Sequence, residues 1–275
     1  MNRISVLTLA LQSSESDKLS QKQLRSLSPS LQGVLMEHIG AGYAAELHQL
    51  PFNPYSQYCY WDSANEILRW RICALTNEAA EQVLKPMQGI SKITLRRLST
   101  TLSISTSSLD SIELKALTSM IHDNPQTKVN VTFLTPTAFK SAGNYVFIPT
   151  TRLIFQNLFM RYSQIYEGDK EVDSDTIDYL ESHTAIAAYK LRSQYFDLSS
   201  KTSKRIPAFT GSMTISSKGP QALTGLVQML LKFGEYSGIG IKTSMGMGGT
   251  QCSLTSTGLH EPTKENKVVV SDENN

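Results

Sequence analysis

One order of elements occurs twice along this chain. A chain that repeats strand–helix–strand–strand–helix–strand has few ways to bury its apolar faces. In the first half, Ile4 to Leu11 (ISVLTLAL) alternates like a strand. A helix is expected from about Ser20 to Ile39, with Leu24, Leu27, Leu31, Val34 and Leu35 at helical spacing. After a loop with Pro51 and Pro54 come an aromatic strand around Tyr58 to Trp61, a turn over Asp62 to Asn65, and a second strand from Glu66 to Leu75. Asn77 has the chemistry of an N-cap for a short helix ending before Pro86, and Ser91 to Ser105 is strand-like.

The second half runs the same way. Lys128 to Leu134 (KVNVTFL) is a strand, Phe139 to Ile148 an irregular hairpin-like insertion closed by Pro149, and Thr151 to Tyr166 a helix. Thr184 to Leu198 and Phe209 to Ser216 are strands joined by a basic segment. Pro220 opens a further helix, and Cys252 to Leu254 supplies a last strand. Each half is thus β-α-β-β-α-β, the ferredoxin-like motif, and the fold class expected is α+β with two such domains in tandem. The divisions expected are 1–125, 126–258 and a polar tail, 259–275, with a turn at His122 to Pro125 marking the junction.

The 275 residues give room for two small cores, and 40% apolar with 18% charged residues describes a soluble globular chain. A formal net charge of +2 neither demands nor excludes a nucleic-acid partner, so any basic surface has to be local. Cys59, Cys73 and Cys252 form an odd set without CxxC spacing, which suggests neither a disulfide framework nor a zinc knuckle. The N-terminal segment lacks the small-residue cleavage site of a signal peptide, and no apolar run of about 18 residues occurs. A cytoplasmic protein with no membrane partner is the expectation.

The segment GIGIKTSMGMGG, Gly238 to Gly249, holds five glycines, each costly in backbone entropy. It lacks the Gly-Lys-Ser/Thr of a P-loop, and Gly238-Ile239-Gly240 is not followed by the third glycine of a dinucleotide fingerprint. Two readings stay open: a loop that packs against an RNA backbone beside Lys242, or a tight chain crossing with no ligand.

Thr132 to Tyr162, the later YKLRSQYFDL and FTGSMTIS, and the terminal GEYSGIGIKTSMGMGG together resemble the endoribonucleases of the RAMP superfamily that cut CRISPR precursor transcripts. The resemblance spans nearly the whole chain, and the glycine loop is its most specific element. It implies the same tandem fold. It further implies a metal-independent reaction without cofactors, in which a ribose 2′-OH attacks the adjacent phosphorus and leaves a 2′,3′-cyclic phosphate and a 5′-hydroxyl.

Members of that family place a catalytic histidine in a Leu-His pair shortly before Pro-Phe. Here the match is Leu47-His48 followed by Pro51-Phe52. Met36 stands where some members have a tyrosine, and Leu50 where they have a lysine. His38 is therefore the candidate second proton-transfer group, with Tyr43 a weaker one. Histidine suits either role because its ordinary pKa is about 6.5.

Candidates for RNA contact are Lys140, Arg152, Lys201, Lys204, Arg205 and Lys242, together with the backbone at Gly238, Gly240, Gly246 and Gly248. Replacing Gly246 or Gly248 with a β-branched residue is expected to weaken RNA binding while leaving the fold intact. The implied partner is CRISPR repeat RNA, with a guide-RNA effector complex and a homodimer as further candidates. The alternative is a non-catalytic RAMP subunit that holds guide RNA; retention of Leu47-His48 favours the nuclease.

Overall fold

The computed structural model describes residues 2–13, 27–96, 98–123, 125–168, 173–198 and 205–254. Two antiparallel sheets hold nearly all of its strands. The first contains β1 (Arg3–Ser13), β2 (Tyr55–Asp62), β3 (Ile67–Ala74), β4 (Lys92–Leu95) and β5 (Thr100–Glu113), in the order β2-β3-β1-β5-β4. The second contains β6 (Lys128–Thr137), β9 (Thr184–Asp197), β10 (Arg205–Ser217) and β11 (Thr250–Leu254), in the order β11-β6-β10-β9. In each, the first strand is central, flanked by the third and the last, as a split βαβ motif requires. The tandem ferredoxin-like fold is thus present in both halves, with β4 added as an extra edge strand. A small hairpin, β7 (Phe139–Ser141) with β8 (Asn144–Val146), occupies the irregular insertion.

The helices cover one face of each sheet. In the first half these are α1 (Leu27–His38), α2 (Ala41–Leu47) and α3 (77–87), the last passing from α-helix through a π turn at Ala80–Leu84 into a 3-10 turn. In the second half they are α4 (Leu114–Ser119), α5 (Thr151–Tyr166), α6 (Ser174–His183) and α7 (Gln221–Ser237). Strand β6 alternates strictly, burying Val129, Val131, Phe133, Thr135 and Thr137. Trp70, Ile72, Leu7, Leu31 and Leu35 anchor the core of the first half, and Phe133, Phe155, Leu158, Leu230 and Phe233 that of the second.

Several boundaries differ from those expected. The region Ser91 to Ser105 is two strands, because Ser99 adopts a positive φ and turns the chain back, pairing Ile93 with Leu102. Thr76, rather than Asn77, caps α3, its hydroxyl accepting from the Ala79 amide at 3.1 Å. Helix α6, which the sequence did not suggest, ends at His183 just before the strand at Thr184; its N-cap is Asp173, which accepts from the amides of Asp175 and Thr176. The N-terminal part of the helix expected from Ser20 lies outside the described residues, as do Arg97, His260 and the polar tail. No described helix is long and apolar enough to cross a membrane.

Two glycines act as spacers between elements. At Gly211 (φ +123°) the β10 ladder to β6 shifts register, and a Cβ would lie 2.1 Å from the Lys190 carbonyl oxygen. On α7, a Cβ at Gly225 would stand 2.1 Å from the carbonyl oxygen of Ile121, so the chain after α4 passes directly over this point of the helix. Gly225→Val is accordingly expected to destabilise the protein by about 1–3 kcal/mol. Thermal unfolding should show it as a drop of several degrees, and an unchanged midpoint would mean that the 121–225 crossing is loose.

Candidate functional site

The glycine segment follows α7 and lies inside the protein, wedged between the two halves. Gly238, Gly240, Gly246 and Gly248 are all buried with positive φ values of 72°, 94°, 101° and 70°. Lys242 also takes the left-handed conformation. Most amides of this loop already donate within the protein. Ile239 donates to Gly248, Ile241 to Ala138, and Gly248 to the Pro136 carbonyl, while Gly240 donates to Asn157 Oδ1 and Gly249 to Thr135 Oγ1.

The space around the glycines is equally full. A Cβ at Gly246 would meet Ser28 at 2.2 Å, one at Gly248 the Ile239 carbonyl oxygen at 2.1 Å, and one at Gly249 the Tyr58 ring at 2.5 Å. Among the described residues, then, these conformations serve a close chain crossing. The expectation that Gly246 or Gly248 could be enlarged without cost to the fold does not survive this geometry.

Arg161, on α5, holds the crossing from below. Its side chain is 3% exposed and donates to the carbonyls of Ser237, Gly238 (3.2 Å) and Gly240 (2.9 Å) and to Thr243 Oγ1 (2.9 Å). The first two carbonyls belong to the C-terminal end of α7, the negative pole of the helix dipole, so a cation is favoured there. No carboxylate pairs with Arg161 among the described residues. Burial pushes its pKa down to about 10, which leaves it charged at neutral pH. Arg161 is therefore an interior residue, unavailable to an RNA surface.

The first half meets the loop through polar contacts. Gln57 Nε2 donates to the carbonyls of Ser28 and Ser244, each at 3.1 Å, while its Oε1 accepts from the Trp70 indole at 2.8 Å. Asn53 Nδ2 donates to Ser244 Oγ at 3.0 Å, and Ser56 Oγ donates to the Tyr236 carbonyl. The Phe52 ring lies against the Arg161 guanidinium, 5.1 Å from centroid to Cζ. Residues Phe52 and Asn53, in the loop that follows His48, are thereby tied to the glycine crossing.

His48 itself caps the C-terminal end of α2 and is exposed, and His38 is the exposed last residue of α1. The two stand at opposite ends of α2, whose seven residues rise about 10 Å. His38 Nδ1 is 2.8 Å from the Val34 carbonyl oxygen. A carbonyl only accepts, so Nδ1 carries the proton and Nε2 is the basic nitrogen of the neutral ring. The His48 side chain has no hydrogen bond among the described residues.

The basic candidates divide into free and paired groups. Lys140 and Lys242 have no ion pair among the described residues, whereas Arg152 binds Asp178 (2.5 Å) and Glu181 (2.7 Å), and Arg205 binds Asp197 (3.0 Å). Lys201 and Lys204 lie outside the described residues. Of the aromatic residues on β2, Tyr55 and Tyr58 are buried and Trp61 is exposed. The sequence pointed to neither Gln57 nor Asn53; a glutamine and an asparagine carry no signal until the chain crossing that needs them is known.

Comparison with known proteins agrees with this architecture. The family model of the CRISPR-associated endoribonuclease Cas6 matches residues 131–250. A Cas6 endoribonuclease from Mycobacterium tuberculosis is 39% identical over 248 residues, covering 89% of this chain and 77% of its own. One from Streptococcus thermophilus is 37% identical over 228 residues, covering 82% of this chain and 90% of its own. Among solved structures, a Cas6 product complex superposes with a TM-score of 0.71 at 18% identity, covering 91% of this chain and 99% of that one. A Thermus thermophilus Cas6 gives 0.67 at 19% identity, with 92% and 99% covered.

Fold and sequence together define a RAMP endoribonuclease built from two ferredoxin-like units. The chain belongs to the Cas6 family, and its function is the processing of CRISPR precursor transcripts.

Two variants separate packing from contact at the crossing. Arg161→Met removes four donated hydrogen bonds, of whose acceptors the Gly238 carbonyl keeps the Ser237 hydroxyl as a donor, and is expected to cost about 2–4 kcal/mol in stability, read by denaturant unfolding. Gly246→Ala is expected to lower the melting temperature as well, since both its φ and its neighbour Ser28 oppose a methyl group. A Gly246→Ala protein that melts like the wild type but binds RNA poorly would restore the phosphate-contact role for this glycine.

Proposed function

We propose that His48 is the central proton-transfer group of a metal-independent cleavage within the CRISPR repeat, and that His38 is its complement. The ribose 2′-OH attacks the adjacent phosphorus as the 5′-oxygen departs in line, giving a 2′,3′-cyclic phosphate and a 5′-hydroxyl. One imidazole takes the 2′-OH proton and the other protonates the leaving oxygen. The observation that carries this reading is the exposed, unbonded side chain of His48 in a loop whose following residues are held by the buried Arg161 crossing. The free Nε2 of His38 fits the base, which leaves His48 as the acid.

RNA phosphates would be met first by Lys140 and Lys242, whose charge no described carboxylate neutralises, and by Lys201 and Lys204 of the β9–β10 connection. Arg152 and Arg205 would contribute by exchanging their carboxylate partners for phosphate. Of the loop glycines, Gly238, Gly240, Gly246 and Gly248 contribute to RNA binding through the shape of the crossing. A homodimer and delivery to a guide-RNA effector complex belong to this reading as partners.

Cleavage of the host repeat RNA in EDTA tests the scheme. His48→Ala is expected to slow cutting by about 10²–10⁴-fold with RNA affinity retained, and a 2′-deoxy nucleotide at the cut should abolish it. His38→Ala should flatten the acidic side of the pH–rate profile, where the base must lose its proton to act. Full activity of His48→Ala, or cutting only with added metal, would overturn the proposal.

A further inference from the structure

Beside the loop that carries His48 lies a cleft of about 430 Å³. Tyr43 and Glu46 of α2, Leu50 and Phe52 of the loop, and Glu78 of α3 are among its walls, and Gln164 and Ile165 of α5 close the far side. His48 sits in the chain between the wall residues Glu46 and Gln49. The cleft thus adjoins the segment that carries His48 without His48 itself lining it, and on the reading proposed above an RNA cut at His48 passes its mouth.

Three features define the occupant. Half of the wall residues are apolar, two of them aromatic, and Leu50 among them is 46% exposed. The Tyr43 hydroxyl is buried without a hydrogen-bond partner, a state that costs stability until a ligand supplies one. Glu46 and Glu78 have no ion pair among the described residues, and their charges help burial hold the Tyr43 hydroxyl up at about 12. Two unpaired carboxylates repel a phosphate, so the backbone of an RNA is excluded from this cleft. They attract a flat neutral ring whose edge donates hydrogen bonds.

Guanine meets these terms better than the other bases. Its N1–H and 2-amino group are parallel donors that one carboxylate accepts together, while adenine and cytosine offer a single amino group and uracil a single N3–H. The base plane would lie along Tyr43 and Phe52, as unpaired bases lie on aromatic side chains in RNA complexes. We propose that this cleft receives an unpaired guanine next to the cut, read by Glu46 or Glu78, and so sets which phosphodiester is presented to His48.

The test uses the full chain and the repeat RNA. Each guanine flanking the cut is replaced in turn by inosine, which lacks only the 2-amino group. Wild type, Glu46→Gln and Glu78→Gln then cut each substrate under single-turnover conditions. At one position inosine is expected to raise the half-saturating enzyme concentration of the wild type about tenfold with the maximal rate kept. In one of the two glutamine variants the inosine and guanine substrates should be cut alike.

Leu50→Trp, which fills the cleft, should weaken binding of the guanine substrate with an unchanged melting temperature. The proposal is overturned if no guanine flanks the cut, if inosine is neutral at every position, or if its penalty is the same in all three proteins. Should the wild type bind the repeat without cutting, the nuclease reading fails. The same inosine comparison on binding affinity then decides on the cleft by itself.

Discussion

A single buried cation organises the middle of this molecule. Among the described residues no carboxylate neutralises Arg161; backbone carbonyls and one hydroxyl take that place, at the end of α7 and along the glycine segment. Removing a charge from water is expensive, and only a chain folded tightly enough to aim several carbonyls at one guanidinium can compensate. The left-handed glycines provide that tightness, which explains their number. Through Phe52, Asn53 and Gln57 the same crossing fixes the loop after His48 to the second half.

The two sheets show how a repeated topology can carry unlike tasks. Both have the first strand at the centre with antiparallel neighbours on each side. In the first, the helical face is interrupted by the short α2, which places two histidines at helix ends. In the second, the helices α5 and α7 pack closely and supply the buried arginine and the glycine crossing. The two histidines of the proposed proton transfer thus lie on one half, and the crossing that holds the loop after His48 is anchored on the other.

Much of this was legible in the residues. The alternation of Lys128 to Leu134, the apolar spacing of α7 and the order of elements defined the fold because period and order survive any detail of packing. The Leu47-His48 and Pro51-Phe52 pattern singled out the catalytic candidate. The fate of Arg161 was not legible, since a helix reveals its buried face only when its neighbours are known, and arginine is usually a surface residue. The glycines were recognised as demanding, but whether the demand came from RNA or from the chain depended on Ser28 and Tyr58, far away in sequence. Helix α6 was missed because its polar face outweighs its two buried residues, Ile177 and Leu180.

The crossing also imposes an order in time. Residues 238–249 are made after all the other contacts of the first half, yet Gln57, Asn53 and Phe52 wait for them or for the arginine they surround. A nascent chain emerges from its N-terminus, and each unit tends to fold as it appears. The first half can therefore form its sheet early, but the segment behind His48 acquires its support only once the residues up to 249 have left the ribosome. Until then Asn53, Gln57 and Phe52 lack the partners that hold them in the finished fold.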